Sequence, residues 1–244
     1  MSEHKSNSNH AAKGKKCNQC SLKQFSVFKD CNEAILDKAF ANREFVSFKK
    51  GEYLLKEGDA FKGVFFIQNG VAKVLKRGKK YKEFILWFAR PGDIIGMNSF
   101  LNNDKKYSFS VSAIEDIESC FIPESDFRNL IAKEPAIGLK LMKDMCEKID
   151  LIEDRITSIA QKKIREHLAE ILISLASKSK KIKQGGLSVN YSIKDLANII
   201  GTTKNYLYKI LSDFDSKRLV SMKNHKLVIR DMNKLFLVAT GDDF

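Results

Sequence analysis

Long hydrophobic runs are missing from this 244-residue sequence. No apolar stretch approaches the roughly 20 residues that a membrane-spanning helix needs, so no membrane partner is expected. The opening segment, MSEHKSNSNHAAKGKK, lacks the apolar core of a secretory signal. A cytoplasmic protein is therefore expected, in which Cys17, Cys20, Cys31, Cys120 and Cys146 stay reduced. Their odd number argues against a simple disulfide framework. Catalytic signatures are lacking as well. There is no phosphate-binding glycine loop, no nucleophile elbow and no paired-histidine metal motif, so no enzyme is expected. Cys17-Asn-Gln-Cys20 is a C-x2-C pair, but no second such pair completes a zinc site.

What is present is a core and an uneven charge. At 43% hydrophobic residues the chain can bury a sizeable interior, and its length suffices for two domains. The net charge is +13. Residues 1–16 hold four basic and one acidic residue, residues 17–160 hold 23 and 21, and residues 161–244 hold 16 and eight. The basic excess thus lies in the C-terminal third, as a polyanion-binding module requires.

Within that third, Tyr191 to Phe214 reads as two short helices joined by a tight turn. Ser192 is an N-cap with Asp195 three residues on, a variant of the capping box. Leu196, Ile199 and Ile200 form one apolar face, and Gly201 supplies the left-handed turn. Thr203 caps a second helix that buries Leu207, Ile210 and Leu211. Ala197 is small where the helices cross. This spacing suits a DNA-reading helix-turn-helix better than an ordinary helical hairpin. Ser192, Thr202, Thr203, Lys204, Asn205, Tyr208 and Lys209 are the candidate DNA-binding residues, because amines, amides and hydroxyls suit phosphates and base edges. Two β-type runs, Leu219–Met222 and Leu227–Arg230, flank a Lys-Asn-His-Lys turn and predict a β-hairpin wing.

The remaining chain divides as follows. Residues 1–16 form a basic tail, expected to be disordered, and its His4 and His10 are expected to be inert. Residues 17–135 form a sensing domain. A short helix leads into β texture from Phe45 to Ile122, punctuated by glycines, with Asn69-Gly70 as a hairpin signal and Pro91-Gly92-Asp93 as a turn. Residues 136–160 form a dimerisation helix. Met142, Met145, Ile149, Ile152, Ile156 and Ile159 recur at 3 and 4, a narrow seam flanked by charge, which favours a second copy of the same helix over the chain's own core. Residues 161–244 contain an amphipathic helix over about 161–177, a basic flexible linker and the reading head. His167 on that helix is expected at the surface or as a cap. The fold class is α+β: an N-terminal antiparallel β-barrel, a long dimerisation helix and a C-terminal winged helix-turn-helix.

The order of these parts, with G-E-Y-L-L-K-E-G-D (51–59), F-F-I-Q-N-G (65–70), P-G-D-I-I-G (91–96) and D-L-A-N-I-I-G-T-T-K-N-Y-L-Y-K-I-L (195–211), resembles the bacterial regulators that include the cyclic-AMP receptor protein and FNR. The resemblance spans about residues 17–235. It implies a homodimeric transcriptional regulator that binds a palindromic double-stranded DNA operator, acts on RNA polymerase and is controlled by a small-molecule effector at the barrel. That effector would select one state of the dimer over the other. The implied effector pocket is Gly96, Met97, Asn98, Ser99, Tyr107 and Ser108. Members that bind cyclic AMP carry Glu where this chain has Met97 and Arg where it has Tyr107; a cyclic phosphate without its arginine loses its main charge-assisted partner, which argues against cyclic AMP.

FNR-type members instead hold a [4Fe–4S] cluster on four cysteines. Cys17, Cys20 and Cys120 match that pattern, but its third position falls on Ser26, leaving Cys31 as the substitute thiol. An oxygen or redox sensor at Cys17, Cys20, Cys31 and Cys120, through a cluster, a dithiol or a metal, is therefore one reading. The other is that these thiols are relics, with Cys120 and Cys146 as small core residues. An unknown ligand, or none, is a further alternative, and haem stays open. Family helices read DNA with Arg-Glu and a later Arg, where this chain has Lys204, Asn205 and Lys209. Tyr208 stands where FNR-type helices have Ser, so an altered operator is expected. A cyclic-nucleotide-binding signalling module without DNA binding is the competing class; its second helix should then lack basic residues, and this one does not.

Overall fold

The computed structural model describes residues 28, 31, 33–78, 82–177, 187–189, 191–223 and 226–242. Cys17 and Cys20, His4 and His10, the basic tail, the linker 178–186 and Asn224 and His225 of the wing turn lie outside the described residues. The chain divides into two bodies, residues 1–79 with 86–148 and residues 80–85 with 149–244.

The first body starts with α1 (Glu33–Ala39). Eight strands follow: β1 (Glu44–Phe48), β2 (Tyr53–Leu55), β3 (Gly63–Asn69), β4 (Ala72–Arg77), β5 (Glu83–Ala89), whose residues 83–85 count with the second body, β6 (Ile94–Ile95), β7 (Ser110–Ala113) and β8 (Ile117–Pro123), with a short helix α2 (Met97–Leu101) after β6. The expected barrel takes the form of two four-stranded sheets rather than one closed cylinder, ordered β1-β8-β3-β6 and β2-β7-β4-β5. Every pairing with a described register is antiparallel. Val64 and Ile67 of one sheet and Val74 and Val111 of the other share one apolar core.

Asn69-Gly70 does not close a hairpin. β3 pairs with β6 and β8 while β4 pairs with β7, so the turn carries the chain from one sheet to the other. Gly70 is required there for two reasons. Its φ is +84°, and a Cβ would lie 2.2 Å from the Asp116 carbonyl oxygen. The adjacent strands in this region are β4 and β5. Pro91-Gly92-Asp93 does turn, with the Asp93 amide donating to Arg90 O at 3.0 Å.

α3 (Glu124–Lys133) and α4 (Pro135–Gln161) follow β8. Pro135 opens α4 and so separates it from α3, because proline is tolerated only in a helix's first turn. Along α4, Met142, Ile149, Ile152, Ile156 and Ile159 are exposed, and so is Leu139. Met145 departs from this ridge and packs half-buried on the core of its own domain. Cys146, read as a small core residue, is exposed, since it points off the face that Met145 turns inward.

The second body holds α5 (Ile164–Ser177), β9 (Leu187–Val189), α6 (Ile193–Ile200), α7 (Lys204–Ser216), β10 (Val220–Lys223), β11 (Lys226–Ile229) and α8 (Met232–Thr240). The wing is three-stranded, ordered β10-β11-β9. β9 and α8 escape the periodicity argument. α8 nevertheless has its own signals: Asp231 caps it through the Lys234 amide at 3.0 Å, Gly241 ends it, and Leu235 and Val238 are buried. His167 is buried at 3% exposure rather than lying at the surface or serving as a cap. Leu168, Ala169 and Leu172, its neighbours on α5, are buried too, so the helix is covered on more than one side.

Candidate nucleic-acid interface and sensing pocket

The reading head is built by local chemistry. Ser192 Oγ accepts from the Asp195 amide at 3.0 Å and donates to the Asp195 carboxylate at 2.7 Å, which fixes the start of α6. Such a cap contributes about 1 kcal/mol. α6 ends at Gly201, whose φ of 80° and ψ of 27° are left-handed. The amides of Gly201 and Thr202 both donate to Ala197 O at 3.0 Å. Thr203 Oγ1 then accepts from the Tyr206 amide at 3.3 Å and opens α7. Leu207, Ile210, Leu211 and Phe214 bury one side of α7, while Lys204, Asn205, Tyr208 and Lys209 are exposed on the other. Four of the seven candidate DNA-binding residues, Lys204, Asn205, Tyr208 and Lys209, thus share one exposed surface of α7.

Ser192 and Thr203 are committed to capping, and Thr202 is half-buried in the turn. Tyr206 and Ser212, also exposed on α7, escaped the sequence reading. The signal for Ser212 was available, since it lies opposite Leu207 and Phe214 at 3.6 residues per turn. Two arginines were missed as well. Arg165 of α5 pairs with Asp213 at 2.9 Å and stacks over the Phe214 ring at 5.4 Å, fastening α7 from behind. Arg155 of α4 donates to Ile199 O and lies 4.9 Å over the Phe84 ring. Burial pushes its guanidinium pKa down to about 10.

The predicted sensing residues also lie near one another, with Tyr107 packed inward. Met97, Ser99 and Tyr107 are buried, whereas Asn98 is exposed. The Tyr107 hydroxyl donates to Gly63 O at 2.9 Å. Its ring stands edge-on to Phe61 at 5.4 Å, and Phe61 in turn lies 6.3 Å from Phe100. Burial raises the Tyr107 pKa, so the phenol is held neutral. Gly96, at φ +101°, turns into α2; a Cβ there would meet Gly63 O at 3.1 Å and the Tyr107 ring at 3.5 Å. Ser99 Oγ accepts from the Ser108 amide at 3.2 Å, and Ser108 Oγ is buried with no hydrogen-bond partner among the described residues. A neighbouring open cleft is lined by Leu101, Asn102, Lys105, Glu124 and Arg128. Its cations are already engaged: Lys105 and Arg128 both bind Glu124 and hold that carboxyl below its usual range.

Of the candidate thiols, Cys31 is half-buried and Cys120 is buried in β8. Both pack on the core cluster that contains Phe28, Phe40 and Phe66. Among the described residues, no group of three or more His, Cys, Asp or Glu side chains is gathered for a metal ion. No helix among them is long and apolar enough to cross a membrane.

Comparison with known proteins assigns both bodies. Residues 45–134 match the cyclic nucleotide-binding domain, and residues 166–236 match the Crp-like helix-turn-helix domain. The chain is 26% identical to the fumarate and nitrate reduction regulatory protein of Vibrio cholerae, over 91% of this chain and 90% of that one. It is 24% identical to the transcriptional activator protein Anr of Pseudomonas aeruginosa, over 79% of each. The fold is that of the c-di-GMP-responsive global regulator CLP of Xanthomonas campestris, with a TM-score of 0.74 at 12% identity over 82% of this chain and all of the other. It is also that of FixK2 from Bradyrhizobium japonicum, with a TM-score of 0.70 at 18% identity over 80% and 96%. A sheet domain matching one family model, a capped helix-turn-helix matching the other, and full-length regulator relatives make this chain a DNA-binding transcriptional regulator of the cyclic-AMP receptor protein/FNR family, not an enzyme.

Proposed function

We propose that the protein works as a homodimer on a palindromic duplex, reading each half-site with α7. The observation that carries this is the division of α7 itself. Four apolar residues lock it into the head, and Lys204, Asn205, Tyr208 and Lys209 stand exposed on the surface left over. Lys204 and Lys209 neutralise phosphates, and Asn205 has the two-sided amide that reads adenine. In the family pattern a Glu occupies that place and accepts from cytosine, so the preferred half-site differs from the family's. Selection of bound duplexes from a random pool checks this. Enrichment of a palindrome with an altered base pair under Asn205 is expected, and enrichment of the Glu-read half-site would overturn it.

The exposed ridge Leu139, Met142, Ile149, Ile152, Ile156 and Ile159 is the surface that a second α4 would cover. Two heads held this way address half-sites about one helical turn apart. The dimer acts on RNA polymerase in the cytoplasm, as an activator if it follows the relatives whose names say so.

For the signal, the inward packing of Tyr107 speaks against cyclic AMP, since the phenol stands where a cyclic phosphate needs an arginine. The second reading is a redox sensor, favoured by the position of Cys31 and Cys120 on one water-poor apolar cluster. With Cys17 and Cys20 they would supply four thiolates to an iron–sulfur group. Bound there, such a group would supply oxygen- and redox-sensitive thiolate ligation. The chain's own part is to keep water from Cys120 and to tie Cys31 to the domain through the Cys31 amide and Phe28 O at 3.0 Å. Iron and acid-labile sulfide counted on anaerobically purified protein decide between the readings. About four irons per chain support the sensor; an iron-free protein removes it and returns attention to a small effector beside Ser99 and Ser108.

A further inference from the structure

Arg155 has no place in the DNA-reading surface or in the dimer ridge, yet its guanidinium is partly buried and desolvation lowers its pKa. A guanidinium taken out of water is costly unless its surroundings return hydrogen bonds and stacking. What it receives here is specific. Its Nη2 donates to Ile199 O, in the last turn of α6. The carbonyls of a helix's last turn have no intrahelical donor and carry the negative end of the helix dipole, so a cation there is favoured twice over. Its plane lies 4.9 Å over the Phe84 ring. That ring reaches the turn itself, because a Cβ built on Gly201 would touch Phe84 Cε2 at 3.4 Å. Glu83, next to Phe84, is 3.9 Å from Lys194 near the start of α6. All these residues belong to the second body.

The turn between α6 and α7 is therefore gripped from outside the helix-turn-helix. The bond from Arg155 to Ile199 spans 44 residues of sequence. Arg155 thus holds the last turn of α6, just ahead of the reading helix, and Arg165 holds the later part of α7 through Asp213 and Phe214. The two segments that meet at the turn, the start of β5 and the later half of α4, run on covalently into the first body.

We propose that Arg155, seated on Phe84, is a positioning residue for DNA reading: it sets the α6–α7 turn and so the angle at which Lys204, Asn205 and Lys209 are presented. This rests on α7 being the reading helix. Arg155 itself touches no DNA. Its loss should therefore change the preference for the right sequence, not the attraction to phosphate.

The test uses the full-length protein and two duplexes of equal length, one selected by the wild-type chain from a random pool and one of scrambled sequence. Arg155→Met keeps the apolar stem and removes the fork. It is expected to weaken binding to the selected duplex at least about tenfold, while binding to the scrambled duplex and the salt slope stay as in the wild type. Phe84→Ala, approached from the other partner, should give a smaller loss of the same kind. The double variant should lose less than the sum of the two, because the residues act as one unit. Arg155→Lys should not rescue, since an ammonium cannot both lie flat on the ring and donate along the helix end. Unchanged preference in both single variants would overturn the proposal, as would an equal loss on both duplexes. If Arg155→Met fails to fold, Phe84→Ala alone decides by the same comparison. A wild-type chain that selects no duplex at all defeats the reading-helix assignment and this proposal with it, a result distinct from wild-type selection that the variants leave intact.

Discussion

The space around Tyr107 and the surface of α7 show opposite treatments of polar groups. In the first, polar atoms turn inward and find each other: the Tyr107 hydroxyl on Gly63 O, the Ser108 amide on Ser99 Oγ. In the second, amines, an amide and phenols turn outward while their helix is held by apolar residues behind. Both regions depart from their family patterns, but with different consequences. On the reading proposed above, Tyr107 in place of the family's arginine occupies a site with the chain's own ring, whereas Asn205 in place of the family's Glu keeps an exposed reading position and changes what it accepts.

The largest effect that would break this contrast is on the support of α7. Leu207 is fully buried, so Leu207→Ala should cost about 2–5 kcal/mol in the head and abolish sequence-selective binding. Thermal unfolding and duplex titration read the two effects, and a head that melts normally would show the helix is not held as described.

Next come the outward groups. Asn205→Ala should cost about 1–3 kcal/mol against the selected site and relax preference at a single base pair. Lys204→Ala or Lys209→Ala should weaken all sequences alike and lower the salt slope by about 1. A uniform loss for Asn205→Ala would place it among the phosphate contacts instead.

On the inward side, Tyr107→Phe removes one donor from Gly63 O and should destabilise the sheet domain by about 1 kcal/mol without creating affinity for cyclic AMP. Calorimetric titration with cyclic AMP checks the second half; measurable binding would mean the space is not closed by the phenol.

The smallest expected effect is on pH. His167 is buried, and burial, with repulsion from Arg155 and Lys162 partly opposed by Glu170, holds its pKa below the ordinary 6.5. The folded chain therefore keeps it neutral while the unfolded chain takes up the proton. Its contribution to stability is complete above about pH 6.5 and is lost as the pH falls through the lower folded value. Urea midpoints between pH 7.5 and 5.5 should fall, and His167→Gln should flatten that fall. An unchanged slope in the variant would assign it to carboxylates.

Much of the reading head was legible because its determinants are local. Ser192 with Asp195, Gly201, Thr203 and the 3.6-residue spacing of Leu207, Ile210 and Leu211 act over a few residues, and each took its expected role. The sheet domain was legible only as texture. Asn69-Gly70 looks the same whether it joins two paired strands or passes between sheets, and Asp116, 46 residues on, decides which. Met145 and Cys146 are adjacent on one helix, and nothing local says which of them faces the core.

The sequence by itself determined the family, the order of the parts, the helix caps and the chemistry offered on α7, because dihedral preference, hydrogen-bonding capacity and periodicity belong to short stretches of chain. Only the tertiary structure decided that Tyr107 is satisfied by Gly63, that His167 is buried, and that Arg155 lies between Phe84 and Ile199. The contacts of Tyr107 and Arg155 join residues 44 or more apart, brought close by the packing of elements whose pairing no short window contains.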